Sequence, residues 1–222
     1  MCFSAEASFA GGIIISAIGV FTIRKARKSP QILFASIPLF FGLQQFAEGL
    51  LWFTLRSPGN EELLKISTYI FLLMALVFWP LIIPISMLFM EMLEKKKKTL
   101  RILLSAGVLL SLYYAYCLLS YDIRPKIINY HIQYDTDFPE SIAMVAFLFY
   151  LTATIPPLFV SSIKKMHWFG ILMTLSCLVT AVFFTQYLTS VWCFFAALIS
   201  GLIYWILIDT INESKLENKI PI

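Results

Sequence analysis

Four stretches of this chain carry no charged side chain at all: residues 66–90, 102–121, 141–163 and 168–208. A helix needs about 20 apolar residues to cross the hydrocarbon core of a bilayer. Each stretch is therefore long enough for one crossing, and the last is long enough for two. Composition points the same way, with 59% hydrophobic, 16% aromatic and only 14% charged residues, against about 25% charged in average globular chains. None of the stretches alternates with period two, so a barrel is excluded and helices are expected. The sequence predicts an all-α polytopic membrane protein whose first partner is the lipid bilayer.

Seven segments can be drawn, at about 3–23, 32–55, 65–90, 101–120, 141–163, 168–187 and 190–210. Together they make a single seven-helix domain over 1–212, followed by a short cytoplasmic tail at 213–222. Arg24, Lys25, Arg27, Lys28, Lys95–Lys98, Arg101, Lys164, Lys165, Lys215 and Lys219 fall on one side, 13 of the 17 basic residues. The positive-inside rule places that side, and the C-terminus, in the cytoplasm and the N-terminus outside. An odd number of crossings requires the same split. The first segment has no basic residue before it and a basic cluster after it, the order expected of a reverse signal anchor and not of a cleavable signal peptide. Topology thus accounts for the basic surplus, and no nucleic-acid partner is expected. The longest connection, 121–140, is read as an external loop without a clear pattern.

Ionisable groups are costly in hydrocarbon, so a carboxylate within a span is a functional candidate. There are two such residues, Glu6 in the first segment and Glu48 in the second, both placed toward the outer face. Gln45, Glu48 and Trp52 share one helix face at spacings i, i+3, i+7, and Gln44 flanks it. Ser8, Gly12, Ser16 and Gly19 form a stripe of small residues that allows close contact with the second helix. That contact is expected to bring Cys2, Ser4 and Glu6 toward Gln45 and Glu48. Gln186 and Trp192 reach the same outer level at the turn between the last two helices. The expected site is an outward-facing polar pocket of Gln44, Gln45, Glu48, Trp52, Glu6, Gln186 and Trp192.

A penultimate cysteine is small enough for removal of the initiator methionine, which would expose a free amine and thiol at Cys2. Such a terminus can act as a nucleophile or as a metal ligand. Cys117 and Cys193 both fall in the outer third of their helices, where either a disulfide or plain apolar packing is open to them, packing being favoured. Pro38, Pro80, Pro84 and the Pro156-Pro157 pair are expected to kink helices two, three and five.

Several seven-helix functions are excluded. A retinal Schiff base needs a lysine in the last helix, and 190–208 has none. The only histidines, His131 and His167, fall at opposite ends of the predicted bundle, so a histidine-rich zinc site and a bis-histidine haem are excluded. Pro30-Gln31 occurs once, at a loop, and makes a weak match to the PQ-loop transporters. The opening Met1-Cys2-Phe3-Ser4-Ala5-Glu6-Ala7-Ser8-Phe9, then Arg24-Lys25-Ala26, Ile37-Pro38-Leu39 and Phe41–Trp52, resembles a bacterial family of small uncharacterised multi-spanning proteins. The resemblance covers roughly the first quarter of the chain and implies a bacterial inner membrane. It supplies no substrate, cofactor or catalytic role.

Two readings follow. In the first, the protein binds or transports a small polar or cationic solute. Glu48 is the anionic anchor or proton carrier, Gln44 and Gln45 orient the ligand, and Trp52 and Trp192 are aromatic walls. In the second it is a membrane-embedded enzyme or metal protein, with Cys2 as nucleophile or ligand and Glu48 as base or second ligand, supported by Ser4 and Glu6. Zinc, iron or copper would suit such a set, and the sequence fixes neither metal nor cofactor. The oligomeric state is likewise not legible.

Overall fold

The computed structural model describes residues 4–57, 59–128 and 130–217, with side chains up to Asn212. The first helix, α1 (Ala5–Lys25), begins where Ser4 Oγ accepts the Ala7 N–H at 3.2 Å, and it runs the full length of the bundle. After a short turn the second predicted segment is broken in two: α2 (Ser29–Ala35) and α3 (Ile37–Arg56) meet at Ser36, just ahead of Pro38. Asn60 caps the next helix, accepting the Leu63 N–H at 3.0 Å. That element is continuous from Glu61 to Met90 but changes character on the way. It is α4 (Glu61–Leu72), then a π-helical turn (Leu73–Phe78), then α5 (Trp79–Met90). The long α6 (Glu94–Ser120) returns, α7 (Glu140–Thr154) and α8 (Pro156–Val160) descend across the Pro156-Pro157 break, and α9 (Lys164–Phe183) climbs back. A 3₁₀ turn (Thr185–Tyr187) leads to α10 (Leu188–Ser200) and α11 (Leu202–Glu217).

Among the described residues, six helical elements are long and apolar enough to cross a membrane: α1, Glu61–Met90, α6, Glu140–Val160, α9 and Thr185–Asn212. The expectation of seven equivalent spans is corrected at α3. It has 20 residues, the right length, but Gln44, Gln45 and Glu48 dilute its apolar content. It can carry them because it is enclosed by neighbours, with twelve residues buried.

Small residues decide how α3 is held. A Cβ on Gly19 would collide with the Leu39 backbone, and one on Gly42 with Ser16, so α1 and α3 lie in backbone contact along the predicted stripe. On the far side, a Cβ on Gly107 of α6 would strike the Pro80 carbonyl. That carbonyl would ordinarily receive the N–H of residue 84, which is a proline and has none. The π turn frees further backbone acceptors, which neighbouring helices satisfy. Ser111 Oγ donates to the Val77 carbonyl and the Tyr150 hydroxyl donates to the Ala75 carbonyl, both at 2.8 Å. Such bulges need outside partners in an apolar setting.

The 121–140 connection is not an irregular loop. Strands β1 (Ile123–Ile128) and β2 (His131–Thr136) pair antiparallel, with Ile128 opposite His131 and Ile123 opposite Thr136. The turn between them places Tyr130 at φ 63°, in the left-handed region. Ile127, Ile132 and Tyr134 face the bundle and pack on Leu51 and Trp52. Arg124 pairs with Asp137 and Lys126 with Asp135. The hairpin therefore covers the end of the bundle where α3 finishes and α10 starts. At the opposite, basic end Glu91 ties two connections together. Its carboxylate accepts the Met92, Leu93 and Ser162 backbone N–H groups and the Ser162 hydroxyl, at 2.8–3.0 Å. Burial opposes ionisation of Glu91, but these hydrogen bonds outweigh it and hold the carboxyl below the usual range.

Candidate functional site: a buried carboxylate beside an aromatic cavity

Gln44, Gln45 and Glu48 on α3 are all fully buried. Gln45 Nε2 donates to Glu48 Oε2 at 3.2 Å, one turn along the helix. The Ser190 hydroxyl, near the start of α10, donates to Glu48 Oε1 in a short hydrogen bond. Gln44 looks the other way, accepting the Trp79 indole N–H on its Oε1 at 2.7 Å. Because an indole nitrogen can only donate, this contact fixes the orientation of the amide. Gln44 Nε2 must then point away from Trp79, and the Gln44 side chain hydrogen-bonds the Cys193 sulfur. Trp79 in turn stacks on Phe41, with ring centroids 3.8 Å apart. Two helical elements thus converge on α3 through polar groups: α5 through Trp79, and α10 through Ser190 and Cys193.

Two cavities adjoin this cluster. One, of about 30 Å³, lies among Phe41, Trp79, Ile83, Phe169 and Met173. The other, of about 190 Å³, lies among Ala75, Leu76, Tyr114, Phe147 and Leu188. Tyr150, Trp192 and Cys193 line both and form the partition between them. Tyr150 meets Trp192 edge to face at 5.4 Å. Cys193 is the link to the polar centre, with one side on the cavities and the other against Gln44 and Glu48.

The structure sorts the expected site residues into three groups. Gln44, Gln45 and Glu48 lie together in one buried cluster, and Trp192 stands one cavity wall away. Trp52 is buried one turn above Glu48, beneath Leu51 and Ile132, with the Arg56 guanidinium 5.0 Å from its ring. Glu6 and Gln186 do not join them. Both are exposed, Glu6 in the first turn of α1 and Gln186 in the 3₁₀ turn. The reason is geometric: the α1–α3 stripe aligns the helices along their length, and Glu6 falls on the face of α1 away from Ser8 and Gly12. Trp52 and the hairpin residue Ile132 are both fully buried and pack together at the end of the bundle that the hairpin covers.

Cys2 lies outside the described residues. Cys117, Cys177 and Cys193 are free buried thiols, so no disulfide joins Cys117 to Cys193. Among the described residues no group of three His, Cys, Asp or Glu side chains could hold a metal. Trp79, Ser190 and Tyr150 were not among the expected site residues, and Cys193 was expected only as a packing or disulfide cysteine.

His131 caps the assembly. It is buried where the hairpin turns, stacked on Tyr187 at 4.6 Å and edge-on to Phe184 at 5.2 Å. Burial pushes its imidazole below the ordinary histidine range.

These features define a helical bundle in which, among the described residues, six helical elements are long and apolar enough to cross a membrane and a further helix, α3, carries a buried carboxylate and two amides. The chain matches, over residues 1–215, the family described as a family of unknown function, DUF6629, and it belongs to that family. No curated protein and no solved structure matches it.

Proposed function

We propose that the protein binds a small polar or cationic solute and carries it across the bacterial inner membrane, with Glu48 as the charged or protonatable centre. The observation that carries this reading is the adjacency of two things. An aromatic-walled cavity at Tyr150 and Trp192 lies one residue, Cys193, away from the hydrogen-bonded Gln45–Glu48–Ser190 cluster. A cation held there meets π faces on one side and a carboxylate on the other, both of which favour it strongly away from water. Gln45 and Ser190 hold the carboxylate in one orientation, and Gln44 is held by Trp79. The hairpin end faces outward and the basic end inward, as the distribution of lysine and arginine requires. On this reading the conformation described is closed, and solute entry needs Trp52 and the hairpin to part from Glu48.

The test is calorimetric titration of the detergent-purified full chain with small primary amines and with alcohols of matched shape. Amines should bind and the alcohols should not, and Glu48→Gln should weaken amine binding at least tenfold. Equal binding of amines and alcohols, or unchanged binding by Glu48→Gln, overturns the proposal.

A further inference from the structure

We infer that the solute carries, besides its cationic group, a neutral oxygen acceptor that is received by the indole N–H of Trp192. The inference rests on the proposed function and adds a second recognition element to it. Trp192 is more than nine-tenths buried, lines both cavities, and its Nε1 has no hydrogen-bond partner among the described residues. An indole N–H can only donate. Left unmade in an apolar interior, such a bond is a standing cost to the fold. The hydroxyl protons of Tyr150 and Thr154 go to the Ala75 and Tyr150 carbonyls at 2.8 Å, and neither hydroxyl oxygen receives the Trp192 N–H. Phe41, Ile83, Phe169, Met173 and Ala196, also on the wall, carry no oxygen acceptor on their side chains.

The next residue, Cys193, lies against Gln44 and Glu48. The partition between the cavities thus holds one buried donor, the Trp192 indole N–H, without an acceptor among the described residues. A carboxylate or phosphate would satisfy that donor but would come up against Glu48 in a setting of low dielectric. A carbonyl, ether or hydroxyl oxygen satisfies it without that repulsion. The ligand class that follows is an aromatic or aliphatic amine bearing one uncharged oxygen, with its apolar body against Tyr150 and Trp192.

Two probes that differ only in the acceptor decide the matter: 2-phenylethylamine and its 4-acetyl derivative, titrated into the purified full chain. The ketone should bind about fivefold tighter, the worth of one buried hydrogen bond. Trp192→Phe, which keeps an aromatic wall and removes the N–H, should abolish the difference between the two probes. Trp192→His, which keeps a ring N–H, should restore part of the preference. Thermal melts of both variants in the same detergent establish that they are folded. Equal affinities of the two probes for the native protein, or a preference that survives Trp192→Phe, overturn the inference and leave the proposed function standing. Failure of both amines to bind the native protein overturns both.

Discussion

At the scale of single residues, the molecule separates two buried carboxylates by what surrounds them. Glu48 shares its oxygens between Gln45 and Ser190 inside the bundle, whereas Glu91 gathers backbone and hydroxyl donors at a junction of two connections. The second arrangement has a definite pH signature. The Glu91 carboxyl titrates below its unfolded value, so its contribution to stability is complete above the ordinary glutamate range, near pH 4.3. That contribution is lost as pH falls through the lowered folded value. Thermal melts of the native protein between pH 7 and pH 3 should show a loss below about pH 4 that is smaller in Glu91→Gln. An identical acid profile in the two proteins contradicts this role. The same sign holds for His131. Its imidazole is favoured neutral, and its contribution falls away as pH drops from about 6.5 toward the lowered folded value.

At the scale of elements, helix contacts are set by places where a side chain is missing. The Glu61–Met90 element gives up regular hydrogen bonding at its π turn and at Pro84, and α6 and α7 close over the exposed acceptors with Ser111, Tyr150 and the bare backbone of Gly107. Glycine in a helix costs about 0.5–1 kcal/mol relative to alanine, so replacing an idle one should stabilise. At Gly11 there is no atom within 4 Å of a new Cβ, and Gly11→Ala should raise the melting temperature. At Gly107 the new methyl meets the Pro80 carbonyl, and Gly107→Ala should lower it, by an overpacking cost of about 1–3 kcal/mol. Melts of the two variants side by side read the difference directly, and shifts of the same sign would falsify the packing argument.

At the scale of the whole molecule, what was legible in the sequence was local. The charge-free runs located the helices, and the Ser8, Gly12, Ser16 and Gly19 stripe identified α1 as the neighbour of α3, because both are matters of spacing along one element. The hairpin escaped notice because each strand has only six residues, and its apolar positions, Ile123 and Ile127 on one strand, Ile132 and Tyr134 on the other, make sense only once paired. The membership of the site was only half legible for a related reason. Gln44, Gln45 and Glu48 declare themselves on one helix, but Trp79, Ser190 and Cys193 reach them through the order of helices around the bundle, which no periodicity encodes. Ser190 lies 142 residues beyond Glu48 in the chain. That separation also measures time. Ribosomes extend chains at roughly 5–20 residues per second, so α3 is made on the order of 10 seconds before the hydroxyl that completes its carboxylate exists. During that interval the helices already made, α1 and α4 foremost, are its available shield, and the nascent protein depends on those early pairings to keep a glutamate and two amides from lipid. Chains truncated after Phe183 should accordingly be cleared by membrane proteases faster than full-length chains, and Glu48→Leu should lengthen their lifetime in a pulse-chase measurement.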